Sequence, residues 1–129
     1  MKIRYNKTMS DNLLKKKCVP CESKGMKPFS REDAEDYVAH TNGWTLKLGK
    51  DTTDEGLGAS ISKEYKFKDF IGAINFVERV ADVAEMEGHH PDIHIFYNKV
   101  LLELSTHAID GLSENDFILA AKIDAHNRF

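Results

Sequence analysis

The chain has 129 residues, of which 41% are apolar and 30% charged, with a formal net charge of −3. This length gives one domain with a modest core, and no apolar run is long enough to span a bilayer. The acidic balance argues against general nucleic-acid binding, yet the charge is uneven. Residues 1–28 hold eight Lys/Arg against two Asp/Glu, and the remainder holds ten against nineteen.

Residues 1–29 form a basic arm without a secretory apolar stretch. The arm is not clearly a transit peptide either, being lysine-rich rather than arginine-rich. Two readings stand for it: a loosely ordered segment, or an arm that touches an acidic partner or the acidic body of its own chain. It carries the only two cysteines, in Cys18-Val19-Pro20-Cys21. A CxxC has the spacing of a zinc half-site or a redox dithiol. Here there is no second CxxC and no strand-to-helix setting for a thioredoxin-like motif. The lack of a disulfide framework fits a reducing compartment.

The folded domain is expected over residues 30–129. Ser30 followed by Arg31-Glu32-Asp33 reads as a capped helix start, with Ala34, Tyr37, Val38 and Thr41 on one face and Asn42-Gly43 as its end. Trp44, Leu46 and Leu48 alternate with polar residues as a half-buried strand, and Trp44 is read as core or pocket wall. Gly49 to Gly58 is a polar loop. Ile61, Lys63, Tyr65 and Phe67 define a second strand. From Lys68 to Glu87 the period becomes helical, with a stripe of Phe70, Ile74, Val77, Ala81 and Ala84 flanked by Ile71, Val80 and Val83. Gly88 and Pro91 stop that helix. Ile93, Ile95 and Tyr97 alternate in a third strand, Asn98-Lys99 turn, and Val100 to Thr106 form a fourth. Ser113 caps a last helix bearing Phe117, Ala120, Ala121 and Asp124. The order is α-β-β-α-β-β-α. The expected class is therefore α+β, a four-stranded antiparallel sheet with three helices packed on one face.

Three of the six histidines fall into one set with two carboxylates. Glu85 precedes Gly88-His89-His90-Pro91, and Tyr97, His107 and Asp116 follow. Histidine moves protons near neutral pH, and His107 ends the strand that pairs with the one His89 and His90 feed. His94, His40 and His126 lie outside the set and are read as surface residues. Glu85 alone reads as a solvated acid, and Asp116 alone as part of the Ser113 cap.

The pattern Glu-x3-His-His-Pro-x5-Tyr-x9-His-x8-Asp resembles the signature of pterin-4a-carbinolamine dehydratases. Phe67-Lys68-Asp69-Phe70, Tyr97-Asn98-Lys99-Val100, Leu104-Ser105-Thr106-His107 and Gly111-Leu112-Ser113-Glu114 fit as well. The resemblance runs from about Ser30 to His126, although the Gly49–Gly58 loop is longer than the family implies. It implies dehydration of 4a-hydroxytetrahydrobiopterin to quinonoid dihydropterin plus water by histidine acid–base catalysis, in the recycling of tetrahydrobiopterin. It implies His89 and His107 as acid and base and His90 as the residue that positions the ring. Glu85 would orient an imidazole or meet the amino-pyrimidine edge. Asp116 would hold His107 in one tautomer. Pro91 would stiffen the turn, and Ser105 and Thr106 would offer backbone hydrogen bonds to the pterin. No metal or cofactor is implied. The expected partners are the pterin, a second or further copies of the chain as dimer or tetramer, and a functional link to an aromatic amino-acid hydroxylase. Neither nucleic acid nor membrane is expected. Some plant and bacterial relatives are similar in carrying a CxxC ahead of the first helix. The expected location is cytoplasmic or organellar. The alternatives are a metal-dependent hydrolase using His89, His90 and His94 or His107, a non-enzymatic dimerisation or coactivator module, and an enzyme of molybdopterin metabolism.

Overall fold

The structure is a computed structural model and describes residues 12–19, 26–49 and 55–127. Cys21 and residues 50–54 of the predicted loop lie outside the described residues.

The elements follow the predicted order: α1 (Arg31–Ala39), β1 (Thr45–Lys47), β2 (Ser60–Lys66), α2 (Phe70–Glu87), β3 (Asp92–Phe96), β4 (Lys99–Leu104) and α3 (Glu114–His126). The strands form one antiparallel sheet in the order β1-β2-β4-β3. Ile61 pairs with Leu104 and Tyr65 with Val100, so the apolar residues of both strands share a face. That face meets Ala34 of α1, Phe76 and Val80 of α2, and Phe117 and Leu119 of α3 in one core. A single sheet that buries one face under amphipathic helices is the architecture the alternating strands require.

Local chemistry fixes the helix ends. Ser30 caps α1, its side chain accepting from Asp33 N, and Asp69 caps α2 by accepting from Gly72 N. Gly88 ends α2 in the left-handed region at φ 66°, where a side chain would be strained.

The core stripe of α2 is rotated from the predicted one. Ala73, Phe76, Val80, Val83 and Ala84 are buried, while Phe70 and Ile71 are 45% and 63% exposed. The reason is Phe76. Its ring packs at 4.5 Å from that of Tyr65 and 5.0 Å from that of Phe67. Phe70 is as large, but Phe76 is the one whose ring meets two aromatic partners over the sheet, and that contact orients the helix. Two strand limits also differ. Tyr97 sits in the β3–β4 turn at φ 51° rather than on the strand. Strand β4 ends at Leu104, and Thr106 makes an isolated bridge to Gly111 around a short 3-10 turn, His107–Ile109. A Cβ on Gly111 would lie 2.6 Å from Pro28 Cβ and 2.9 Å from Gly56 O, so this bridge depends on glycine. His40, read as a surface residue, is half-buried at the C-cap of α1.

The last half of α3 is held by Asp124. Its carboxylate accepts from Trp44 Nε1 at 2.9 Å, Lys63 Nζ at 2.9 Å and Tyr65 Oη at 2.6 Å. Trp44 is thereby core, its indole N–H satisfied as a buried donor must be.

Residues 12–15 form a helical turn, and Leu13 is buried in the common core. Burial of a leucine is worth about 2 kcal/mol, which offsets part of the entropy of ordering this stretch, and the hydrogen bonds of Lys16, Cys18 and Val19 add to it. Residues 12–19 thus lie against the body of the domain.

Candidate active site

Three elements converge on the histidines: the C-terminal end of α2, the strand pair β3–β4, and the first turn of α3. At Gly88 the chain leaves the helical path, and His89 N donates to Ala84 O at 3.2 Å. The two histidines that follow face opposite ways. His89 is 6% exposed, whereas the His90 side chain is 59% exposed. In β3–β4, Asp92 pairs with Glu103, and three further residues along that antiparallel register bring His89 level with Thr106.

His89 Nε2 lies 2.6 Å from Asp116 Oδ1. Asp116 is fully buried. Its other oxygen, Oδ2, accepts from Thr106 Oγ1 at 2.8 Å and from Ser113 N at 3.0 Å. Thr106 Oγ1 is also 2.8 Å from Ser113 Oγ, so with the threonine proton on Asp116 the serine hydroxyl donates to the threonine. Both oxygens are thus hydrogen-bonded, as a buried carboxylate requires. An ionised carboxylate only accepts. Facing an ionised Asp116, His89 donates from Nε2, and in the neutral imidazole that leaves the lone pair on Nδ1.

Asp116 was expected beside His107, and that expectation is corrected. Both its oxygens are engaged elsewhere, because the first turn of α3 points into the domain while His107 is exposed at the start of the 3-10 turn. Asp116 does complete the cap of α3 by accepting from Ser113 N, so the structural and the imidazole-holding readings both apply. Thr106 differs too. Its N–H donates to Gly111 O at 2.7 Å and its carbonyl accepts from Ile109 N at 3.1 Å, so its backbone is spent within the loop and its hydroxyl serves Asp116. His107 follows Thr106 in the chain and is exposed.

Glu85, in the last turn of α2, accepts from His90 Nε2, and both side chains are exposed. Pro91 and Ser105 are half-buried on either side of the β3–β4 entrance, and Ser105 Oγ donates to Gly111 O at 3.4 Å. His94 pairs with Glu103 at 2.9 Å, and His126 is exposed at the end of α3.

Three contributors were missed by sequence reasoning: Ser113 as a donor to Thr106, and Glu87 and Asn115 at the junction of α2 and α3. Burial alone would raise the Glu87 carboxyl, but hydrogen bonds from Lys122 Nζ at 2.6 Å and Cys18 N at 3.0 Å hold it below the usual carboxylate range. Cys18 is half-buried, and burial with the nearby Glu87 charge pushes its thiol up to about 12. Such a sulfur stays protonated at neutral pH, unlike a nucleophilic or metal-bound thiolate.

Fold and site together define a small α+β domain organised around a histidine–carboxylate cluster. The chain belongs to the pterin 4 alpha carbinolamine dehydratase family, whose family model matches residues 27–126. This is a family of hydro-lyases. The chain is 44% identical over 114 residues to the mitochondrial pterin-4-alpha-carbinolamine dehydratase 2 of Arabidopsis thaliana, covering 88% of this chain. It spans only 58% of that relative's length. A Nitrosospira multiformis protein named for the same activity is 44% identical over 117 residues, covering 91% of this chain and 94% of its own. Among solved structures, the transcriptional coactivator/pterin dehydratase from Brucella melitensis is similar, with a TM-score of 0.63 and 29% identity. That likeness covers 77% of this chain and 97% of the other.

Proposed function

We propose that this protein dehydrates 4a-hydroxytetrahydrobiopterin to quinonoid dihydropterin and water by histidine acid–base catalysis. The buried His89–Asp116 pair, 2.6 Å apart, carries this reading. The reaction breaks the C4a–O and N5–H bonds and forms a C4a=N5 double bond. The 4a-hydroxyl must take up a proton to leave as water, and N5 must lose one. No atom changes oxidation state overall, so proton transfer suffices. His89, with its lone pair fixed on Nδ1, is the base for N5–H. His107, exposed and adjacent to Thr106, is the acid for the 4a-hydroxyl. One imidazole gains a proton as the other loses one, and exchange with solvent restores both. His90, paired with Glu85, positions the ring, and Glu85 meets its amino-pyrimidine edge. Pro91 and Ser105 border the pterin. Thr106 acts on Asp116 instead.

The test is the decay of the 4a-carbinolamine with purified protein. Acceleration of about 10²-fold or more over the spontaneous rate is expected from positioned acid–base groups. Decay at the spontaneous rate, with the protein folded, would remove the reading. The biological setting that follows is recycling of the pterin cofactor of an aromatic amino-acid hydroxylase, in the cytoplasm or an organelle. Among the described residues no helix is long and apolar enough to cross a membrane.

The CxxC belongs outside this chemistry. A Cys18→Ser, Cys21→Ser double variant is expected to dehydrate within about 2-fold of wild type, with or without chelator, because the mechanism uses no thiolate. Collapse of the rate in a folded double variant would contradict this.

A homo-oligomer fits the same reading. Strand β3 is an edge of the sheet, with Ile95, Phe96 and the adjoining Tyr97 39%, 57% and 68% exposed. An unpaired apolar edge favours pairing with a second copy through isologous contacts. Sedimentation is expected to give a dimer or larger. A monomer at all concentrations would overturn this.

A further inference from the structure

Glu114, Asn115 and Asp116 fill the first turn of α3, and each holds a different segment. Glu114 Oε2 accepts from Lys16 Nζ at 2.9 Å and Tyr37 Oη at 3.0 Å, while Asp116 takes His89. Asn115 between them turns to the N-terminal arm. Its Oδ1 accepts from Val19 N at 2.9 Å, its Nδ2 donates to Val19 O at 2.7 Å, and its carbonyl accepts from Cys18 Sγ at 3.5 Å. The carboxamide pairs with the main chain of Val19 as a neighbouring strand would. Asn115 is 2% exposed, so this pairing also satisfies an amide that water does not reach. The second anchor is Glu87, the last residue of α2. It accepts from Cys18 N and from Lys122 Nζ of α3. Residues 18–19 therefore strap the C-terminal end of α2 to the first turn of α3. The same two ends bring His89 to Asp116.

We propose that Asn115 is a positioning residue for the dehydration: by clamping the main chain of Val19 it sets the separation of His89 from Asp116. The proposal rests on the dehydratase reading. It gives the arm a task that neither the CxxC nor the acid–base set explains. Packed helix ends have discrete arrangements rather than a continuous range. Releasing the strap changes the arrangement, and a displaced general base costs rate steeply.

Val19 is 52% exposed, so its side chain can be changed without disturbing the core. In the full-length protein, Val19→Pro removes the N–H that donates to Asn115, while Val19→Ala keeps it. Two readouts are followed: steady-state kinetics on the 4a-carbinolamine, and the ¹⁵N shifts of the His89 ring, which report which nitrogen carries the proton. Val19→Pro is expected to lower kcat about 10-fold with KM within about 2-fold, and to move His89 from the Nε2–H tautomer toward a mixture. Val19→Ala is expected to match wild type in both. Asn115→Ala should reproduce the proline variant where it folds, and the proline variant stands without it. The proposal is overturned if either readout is unchanged in Val19→Pro, if only KM rises, or if Val19→Ala falls as far. If wild type itself fails to dehydrate the carbinolamine, the functional reading fails, and the ¹⁵N shifts still decide whether the strap sets the His89–Asp116 contact.

Discussion

Replacing His89 by alanine is expected to lower turnover of the 4a-carbinolamine by about 10²–10⁴-fold, the range for loss of a positioned general base. The size of the effect follows from burial. His89 is shielded from water and oriented by a single carboxylate, so no solvent molecule takes its place with the same geometry. The substitution also leaves Asp116 Oδ1 without its donor, at a cost of about 1–3 kcal/mol. Steady-state assays alongside thermal unfolding separate the two effects. His107→Ala is expected to reduce turnover by about 10–10⁴-fold with less change in stability, since His107 is exposed. Wild-type rates in both folded variants would dismiss the assignment.

The second large effect is expected at Asp116. In Asp116→Asn the shape is kept but one accepting atom becomes a donor. Thr106 Oγ1 and Ser113 N both donate to Oδ2, so the carboxamide oxygen turns toward them and its NH₂ faces His89. The imidazole must then accept at Nε2 and carry its proton on Nδ1, which is the wrong tautomer for abstracting a proton from the pterin. A fall in kcat of about 10²–10⁴-fold is expected, with a smaller stability loss because both Oδ2 donors keep an acceptor. Ring ¹⁵N shifts and kcat, measured on the same preparation, check the prediction. A variant that loses rate while His89 retains the Nε2–H tautomer would show that Asp116 acts in another way.

Much of the fold was legible because strand and helix periods differ so sharply. Ile61 and Tyr65 on β2, and Val100, Leu102 and Leu104 on β4, alternate cleanly and all face the core. The caps Ser30, Asp69 and Gly88 also carry local signals that tertiary packing had no reason to override. The face of α2 was less legible. Its sequence offers apolar residues on more than half the circumference, and only the partner rings of Tyr65 and Phe67 select Phe76. The spacing singled out the residues proposed for the site, but it did not give their pairing. Which imidazole Asp116 meets depends on the direction in which α3 leaves the Thr106–Gly111 bridge, a three-dimensional property with no local signature. The docking of residues 12–19 was legible only as one of two readings of the arm, and its partners were hidden for a related reason. The partners Glu87, Glu114 and Asn115 lie some 70 to 100 positions away in the chain, and the contacts made through the main chain of Cys18 and Val19 leave no side-chain pattern to read.

The protein also contains its own optical gauge. Trp44 is the single tryptophan, and its indole is buried, hydrogen-bonded to Asp124 and set edge-on to Tyr65 at 6.4 Å. Asp124 lies two helical turns beyond Asp116, about 12 Å along α3. Emission from Trp44 therefore reports whether α3 is seated on the sheet, from the end of that helix remote from the histidines. Unfolding exposes the indole to water and shifts its fluorescence to the red, while substitutions at His89, Asp116 or His107 leave the fluorophore's surroundings in place. One label-free signal can thus distinguish a variant that has lost its chemistry from one that has lost its structure.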